Sequence, residues 1–340
     1  MIISQTPFRI SFFGGGTDYP LWFRENGGMV ISTSIDKYCY LTCRHLPPFF
    51  NHKHRIVYSV AENVNAIDEI KHPAVRETMR FLEIQEGLEI HHDGDLPARS
   101  GMGSSSAFTV GLLNTLYALR GRLVSKKELA EKAIHIEQDL LKETVGSQDQ
   151  IAAAFGGFNQ VLFKHDGSFE VNPIIMAKAR RERLQGSLML YFTGLSRFSS
   201  QIAASNLENY EDKKSQLRDI ASLAEQGLQV FQNPESDLNE IGRLLDASWK
   251  VKRGLSTKVS TNEIDDVYNM AMKSGALGGK LLGAGGGGFL LFFVPAEKQN
   301  SVRSALKSIK ALIEVGFRFE TSGSRIVLYD PDLADQAGRV

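Results

Sequence analysis

The stretch Leu96-Pro-Ala-Arg-Ser-Gly-Met-Gly-Ser-Ser-Ser-Ala-Phe108 constrains this chain more than any other. It follows a strand-like run, Gly87–His91, and leads into Ala107–Leu119, which is apolar on nearly every side and so predicts a buried helix. Two glycines two apart let backbone N–H groups turn toward one point, because no Cβ blocks the required φ or the approach of a ligand. The serines supply hydroxyls and helix caps, and a helix N-terminus adds partial positive charge. Such a loop can hold a phosphate, and it can equally be the serine-capped start of a buried helix. It matches neither familiar phosphate template. Gly-x-x-x-x-Gly-Lys-Ser/Thr occurs nowhere, and Ser106 stands where Gly101-Met-Gly103 needs a third glycine.

Composition removes several function classes. Lys plus Arg and Asp plus Glu balance at 39 each, which argues against a nucleic-acid binder working through a basic face. No run approaches eighteen apolar residues and Met1-Ile-Ile-Ser-Gln-Thr does not read as a signal peptide, so no membrane partner is expected. Cys39 and Cys43 stand four apart in one strand-like run, about 13 Å, too far for a disulfide. Unpaired thiols without an export signal point to the cytoplasm. At 340 residues, with 42% hydrophobic and 23% charged, the chain predicts two globular domains.

Read in order, Ile2–Phe13 is strand-like but broken by Pro7, and Gly14-Gly-Gly-Thr-Asp18 is a tight turn before a short helix ended by Gly27-Gly28. Strands follow at Met29–Ser34, Lys37–His45 and Arg55–Val60, with a helix near Ala74–Gln85. Ser125-Lys-Lys-Glu128 opens a helix through about Leu141 as a capping box. Gln150–Phe155 is a short helix, and Phe158–Phe163 with Ser168–Val171 a hairpin. The polar stretch Lys178–Gln185 crosses to the second domain. That domain is expected to contain the strand Ser187–Phe192, helices at Ser199–Phe231, Asp237–Val251 and Asn262–Ser274, and a glycine turn at Gly278–Gly288. A strand at Phe289–Val294, a helix near Ala296–Ile313 and closing strands near Val315–Phe319 and Arg325–Tyr329 complete it. The alternation lacks long βαβ regularity, so the class is α+β, with domains at 1–183 and 184–340.

Three residues stand out chemically. Glu137 falls in the apolar helical line of Ala130, Ile134 and Leu141, where a carboxylate is costly unless a cation or a metal answers it. An ion pair to Arg or Lys and metal ligation both satisfy it. Asp149, in Gln148-Asp-Gln150, is either a first-turn acid favoured by the helix dipole or a pocket residue flanked by neutral amides, and Ser147 with Gln150 reads as a second capping box. Arg9 lies in a strand immediately before a glycine turn. Gly283-Ala-Gly-Gly-Gly-Gly288 matches Gly-x-Gly-x-x-Gly formally, but a strand follows where a dinucleotide site needs a helix. Four consecutive glycines indicate close approach to a ligand or to another backbone. His52, His54, His91 and His92 lack metal spacing and read as surface residues.

Together the segments Pro7–Asp18, Leu96–Ala107 and Lys280–Phe289 resemble, in this order, the three motifs of the GHMP kinase superfamily, and the resemblance spans essentially the whole chain. It implies a ribosomal-S5-like first domain, a ferredoxin-like second domain and a site between them using ATP and Mg²⁺. Arg99, Ser100, Gly101, Met102, Gly103, Ser104, Ser105 and Ser106 then form the ATP phosphate loop. Asp149 matches the catalytic base and Arg9 its basic partner; Glu137 and Ser105, with Ser104 as the alternative serine, match the magnesium ligands. Asp18 matches a residue that binds sugar hydroxyls, with Gly15, Gly16, Thr17, Gln148, Gly285 and Gly286 lining the same substrate site.

Galactokinase-like members carry Glu-His where Gly15-Gly16 stands here. The Gly-Gly-Gly-Thr-Asp form, with Glu143–Gln150 and Ala154–Asn159, is most similar to heptose 7-phosphate kinases, which phosphorylate an anomeric hydroxyl. A phosphorylated sugar needs a second anion site, for which Arg197, Lys250, Lys252 and Arg253 are the candidates. Other readings on the same scaffold are a fuco- or galactokinase-like enzyme, a non-catalytic sugar sensor and an ATP-dependent decarboxylase. A homodimer stays open.

Overall fold

The computed structural model describes residues 1–194 and 210–331. In chain order its first part comprises β1 (Ile2–Phe13), α1 (Pro20–Asn26), β2 (Gly28–His45), β3 (His54–Val57), β4 (Ala61–Val64), α2 (Pro73–Phe81) and β5 (Leu88–Gly94). These are followed by α3 (Ser104–Leu119), α4 (Lys126–Ile134), α5 (Gln148–Phe155), β6 (Phe158–Phe163) and β7 (Phe169–Pro173). The second part comprises α6 (Lys178–Gly186), β8 (Leu188–Phe192), α7 (Tyr210–Gln232), α8 (Asn239–Arg253), α9 (Asn262–Lys273), β9 (Gly278–Leu281) and β10 (Phe289–Phe293). It closes with α10 (Gln299–Leu306), β11 (Ile313–Glu314), β12 (Phe319–Glu320) and β13 (Arg325–Tyr329).

β2 is the spine of the larger sheet, ordered β13-β1-β2-β5-β3-β4, with β6 and β12 also on β2 and β7 on β6. Eighteen residues give it room for β6 against its first half and β5 against its second. The two strands expected at 29–34 and 37–45 are therefore one. Pro7 does not break β1 either: the β1–β2 register shifts between Pro7 and Arg9, a bulge that absorbs the missing N–H. Beside that shift the Arg9 N–H donates to the Met102 carbonyl (3.2 Å), tying the sheet to the glycine–serine loop.

The buried helix α3 and the short helix α5 pack on β1 and β2. Four antiparallel strands, β11-β8-β10-β9, form the smaller sheet. The closing strands differ from expectation. β12 pairs with β2 and β13 with β1, so the chain returns to the larger sheet instead of completing the smaller one. The stretch Lys178–Gln185, expected to be the crossing, lies in a helix, Lys178–Gly186, whose Arg180 is buried against the Val230, Pro234 and Ser236 carbonyls. The expected helix at 296–313 ends at Leu306. Phe12, Phe158, Phe231 and Phe319 form a ring cluster that joins β1 to α7. Among the described residues, no helix is long and apolar enough to cross a membrane.

Candidate active site

The glycine–serine loop between β5 and α3 is anchored from below by Met102, which is buried in the core. Gly103 takes the cap position of α3 in the left-handed region (φ 75°), and no serine caps that helix. Instead the Ser104 hydroxyl accepts from the Arg99 N–H at 3.1 Å. The first-turn N–H groups of α3 have no partner within the helix, which leaves the loop open to an anion. The loop's other side answers the question posed by the four glycines. A Cβ on Gly101 would sit 2.4 Å from the Leu282 carbonyl oxygen, one on Gly283 2.4 Å from the Gly101 Cα, and one on Gly288 2.1 Å from the Ser100 carbonyl oxygen. The two glycine loops are pressed backbone to backbone, joining the domains at the site.

Asp149 stands in the first turn of α5 and faces that loop. Arg9, from β1, grips it bidentately: Nε donates to Oδ1 and Nη2 to Oδ2, both at 2.7 Å, while Nη1 donates to the Gly101 carbonyl at 2.7 Å. The Arg9 side chain is 5% exposed and that of Asp149 26%, so the pair is anchored on the protein side and open on the cleft side. A Cβ on Gly103 would lie 3.5 Å from Asp149 Oδ2, which puts the carboxylate directly against the glycine–serine loop. Asp18 is buried on the same side. Its Oδ1 accepts from the Gly16 N–H (2.8 Å) and its Oδ2 from the Gln148 side-chain amide (3.0 Å). Burial, and then the charge of Asp149, push its carboxyl up, against the lowering effect of the Gly16 bond.

Glu137 is fully buried in a π-helical turn, His135–Leu140, that replaces the regular helix end expected here. The fully buried residues beside it are Ala130, Ala133 and Ile136, while Ile134 and Leu141 are partly buried and pack on the edge of the same core. Among the described residues no arginine or lysine pairs with Glu137. Its Oε2 accepts from the Ser106 hydroxyl (2.8 Å) and the Gln150 amide (2.5 Å), the Thr109 hydroxyl also favours the carboxylate, and among the described residues no donor reaches Oε1 in hydrogen-bond geometry. Burial pushes its carboxyl up to about 7. Hard oxygen donors and an orphaned carboxylate oxygen suit Mg²⁺.

Other expected residues fall elsewhere. Ser106, not Ser105, meets Glu137, and Ser105 is exposed. The Ser147–Gln150 capping box does not form, because Gln150 turns to Glu137 and the Ser147 hydroxyl accepts from Gln138. Thr17 is fully buried, its hydroxyl bonded to the Gly14 carbonyl and the Met29 backbone, so it fixes the turn and does not face the cleft. Gly15 borders the Gln148 amide. Gly285 and Gly286 are held against the Val259 carbonyl. Lys250 pairs with Asp246 and Arg253 with Asp265, while Lys252 turns inward. Arg197 lies outside the described residues. His54 is buried and accepts from the Leu88 N–H, so it is not a surface group, and His92 is half-buried, edge-on to Phe108. Sequence reading missed Gln150 as the partner of Glu137; its place beside Asp149 was the available signal.

Residues 61–157 match the GHMP kinases N terminal domain and residues 223–312 the GHMP kinases C terminal domain, together more than half of the chain. The D-glycero-alpha-D-manno-heptose 7-phosphate kinase of Campylobacter jejuni is 29% identical over 95% of this chain and 97% of its own. The bifunctional fucokinase/GDP-fucose pyrophosphorylase of Arabidopsis thaliana is 26% identical over 89% of this chain and 31% of its own. In structure, a D-glycero-D-manno-heptose 1-phosphate kinase from Bacteriodes thetaiotaomicron superposes with a TM-score of 0.77 at 24% identity, covering 96% of this chain and 99% of that one. The chain belongs to the GHMP kinases, and it is a small-molecule kinase that takes phosphate from ATP to an alcohol acceptor.

Proposed function

We propose, with membership of that family as the premise, that this enzyme phosphorylates the anomeric C1 hydroxyl of D-glycero-D-manno-heptose 7-phosphate, giving the 1,7-bisphosphate for nucleotide-activated heptose. The observation that carries the reading is the Asp149–Arg9 pair set directly against the phosphate loop. The sugar assignment draws its support from the likeness to the Campylobacter enzyme over nearly both full lengths.

Phosphoryl transfer asks the protein for positioning and charge neutralisation. The loop from Arg99 to Ser106 holds the nucleotide phosphates at the start of α3. Glu137 and the Ser106 hydroxyl would hold Mg²⁺, which would supply charge neutralisation for phosphate oxygens. Asp18, fixed by Gln148 and the Gly16 N–H, orients sugar hydroxyls. Asp149 accepts the proton of the attacking hydroxyl at a carboxylate oxygen, and Arg9 holds that carboxylate in place and stabilises negative charge developing beside it.

Incubation with ATP, Mg²⁺ and a panel of sugars and sugar 7-phosphates, followed by ADP release and phosphorus NMR of the product, tests the reading. Fastest turnover is expected with the heptose 7-phosphate, with a new resonance from an anomeric phosphate. Faster turnover of unphosphorylated fucose or galactose contradicts it.

A further inference from the structure

Where the two glycine loops meet, two ammonium groups are buried without an acid. Lys280, on β9, donates from Nζ to the Phe12 carbonyl at the end of β1 (2.9 Å). Lys252, in the last turn of α8, donates to the Leu281 carbonyl (3.0 Å) and to the Gly283 carbonyl. Among the described residues neither forms an ion pair, whereas Lys250 and Arg253 beside them do. The third cation here, Arg9, is matched by Asp149.

Lys252 Nζ also lies 5.9 Å from the centre of the Trp249 ring, a contact that offsets only part of its charge, and burying two ammonium groups with no acid beside them is costly. Burial above all, and then the charge of Arg9, pull Lys280 down to about 7; burial, Lys280 and Arg9 pull Lys252 well below its ordinary value. An ammonium has three donors. Lys280 spends one and Lys252 two on the carbonyls, so each keeps at least one for a ligand. Their anchors place them as well. Phe12 runs into the turn that carries Asp18, and Gly283 lies against Gly101 of the phosphate loop.

We propose that Lys252 and Lys280 form a phosphate-monoester subsite between the Gly14–Asp18 turn and the phosphate loop, completed when an anion enters. The same chemistry fits two sources, the phosphate carried by the sugar and the terminal phosphate of the nucleotide. The subsite deepens the function proposed above and rests on it only for the identity of the sugar.

The test uses the full chain with Lys252→Met and Lys280→Met. The first readout is the further rise in melting temperature that inorganic phosphate causes with ADP already saturating, so that the glycine–serine loop is occupied. Both variants are expected to melt at or above the wild-type temperature without phosphate, since an unanswered buried charge is gone, and to lose the phosphate-induced rise. If that rise persists in the variants, or is missing from wild type, the subsite is overturned. Should a methionine variant fail to fold, Lys→Arg at the same position replaces it; keeping the phosphate-induced rise then supports the subsite and losing it overturns it. The second readout distinguishes the sources. A KM for sugar phosphate raised about 10- to 100-fold with the KM for ATP unchanged assigns the subsite to the sugar, and the reverse pattern assigns it to the nucleotide. If wild type turns over no sugar phosphate, the substrate reading fails while the melting experiment still decides the subsite.

Discussion

Two carboxylates meet the same short helix and are held in opposite ways. Asp149, on α5 itself, has its cation built in: both oxygens are gripped by Arg9 and the carboxylate is part-exposed. Glu137, bonded to α5 through Gln150, is fully buried and, among the described residues, meets only neutral donors, with none in hydrogen-bond geometry to Oε1. The first arrangement is complete as it stands and is suited to proton transfer at its open edge. The second is incomplete and costly until a cation arrives from outside. The difference supports the roles proposed for them, Asp149 as base and Glu137 as metal ligand.

The strongest way to break this comparison is Asp149→Asn. Turnover is expected to fall roughly 10²–10⁴-fold, with ATP affinity unchanged; near-wild-type turnover removes Asp149 as the base. Glu137→Gln comes next. The magnesium concentration for half-maximal turnover should rise roughly 10–100-fold, and the metal-free protein should be no less stable. A destabilised variant with an ordinary magnesium requirement makes Glu137 structural.

The same residue sets a pH dependence. Its carboxyl sits near 7 when folded, against 4.5 ordinarily, so the native state keeps a proton that the unfolded chain releases between those values. Its contribution to stability is complete below the lower value and is lost as pH rises through the higher one. Thermal melts from pH 4 to 8 should show this fall in wild type and lack it in Glu137→Gln. Magnesium should stabilise wild type more above pH 7 than below it. The smallest effect sharpens the serine assignment. Ser106→Ala should raise the magnesium requirement by about 3- to 10-fold, the worth of one hydrogen bond, whereas Ser105→Ala should leave it unchanged.

Local pattern carried the glycine–serine loop, the buried helix behind it and Glu137 as an acid on an apolar face, because each is written within one turn or one strand. It did not carry which serine faces Glu137. That depends on Gly103 taking the cap position and on a π-helical turn changing the phase of residues 135–140. The four glycines at 285–288 announced a close approach, but its partners, Val259 for Gly285 and Gly286 and the Ser100 carbonyl for Gly288, could not be read from the local pattern. The same holds for β12 and β13: their short patterns fit either sheet, and only long-range pairing with β2 and β1 decides between them.

A crystal structure of the ternary complex with a non-hydrolysable ATP analogue, Mg²⁺ and the heptose 7-phosphate tests the assignment of the base most directly. The account predicts the C1 hydroxyl within about 2.6–3.2 Å of an Asp149 carboxylate oxygen, with Arg9 still bound to that carboxylate. A C1 hydroxyl resting on Asp18, with Asp149 beyond hydrogen-bond reach, contradicts it.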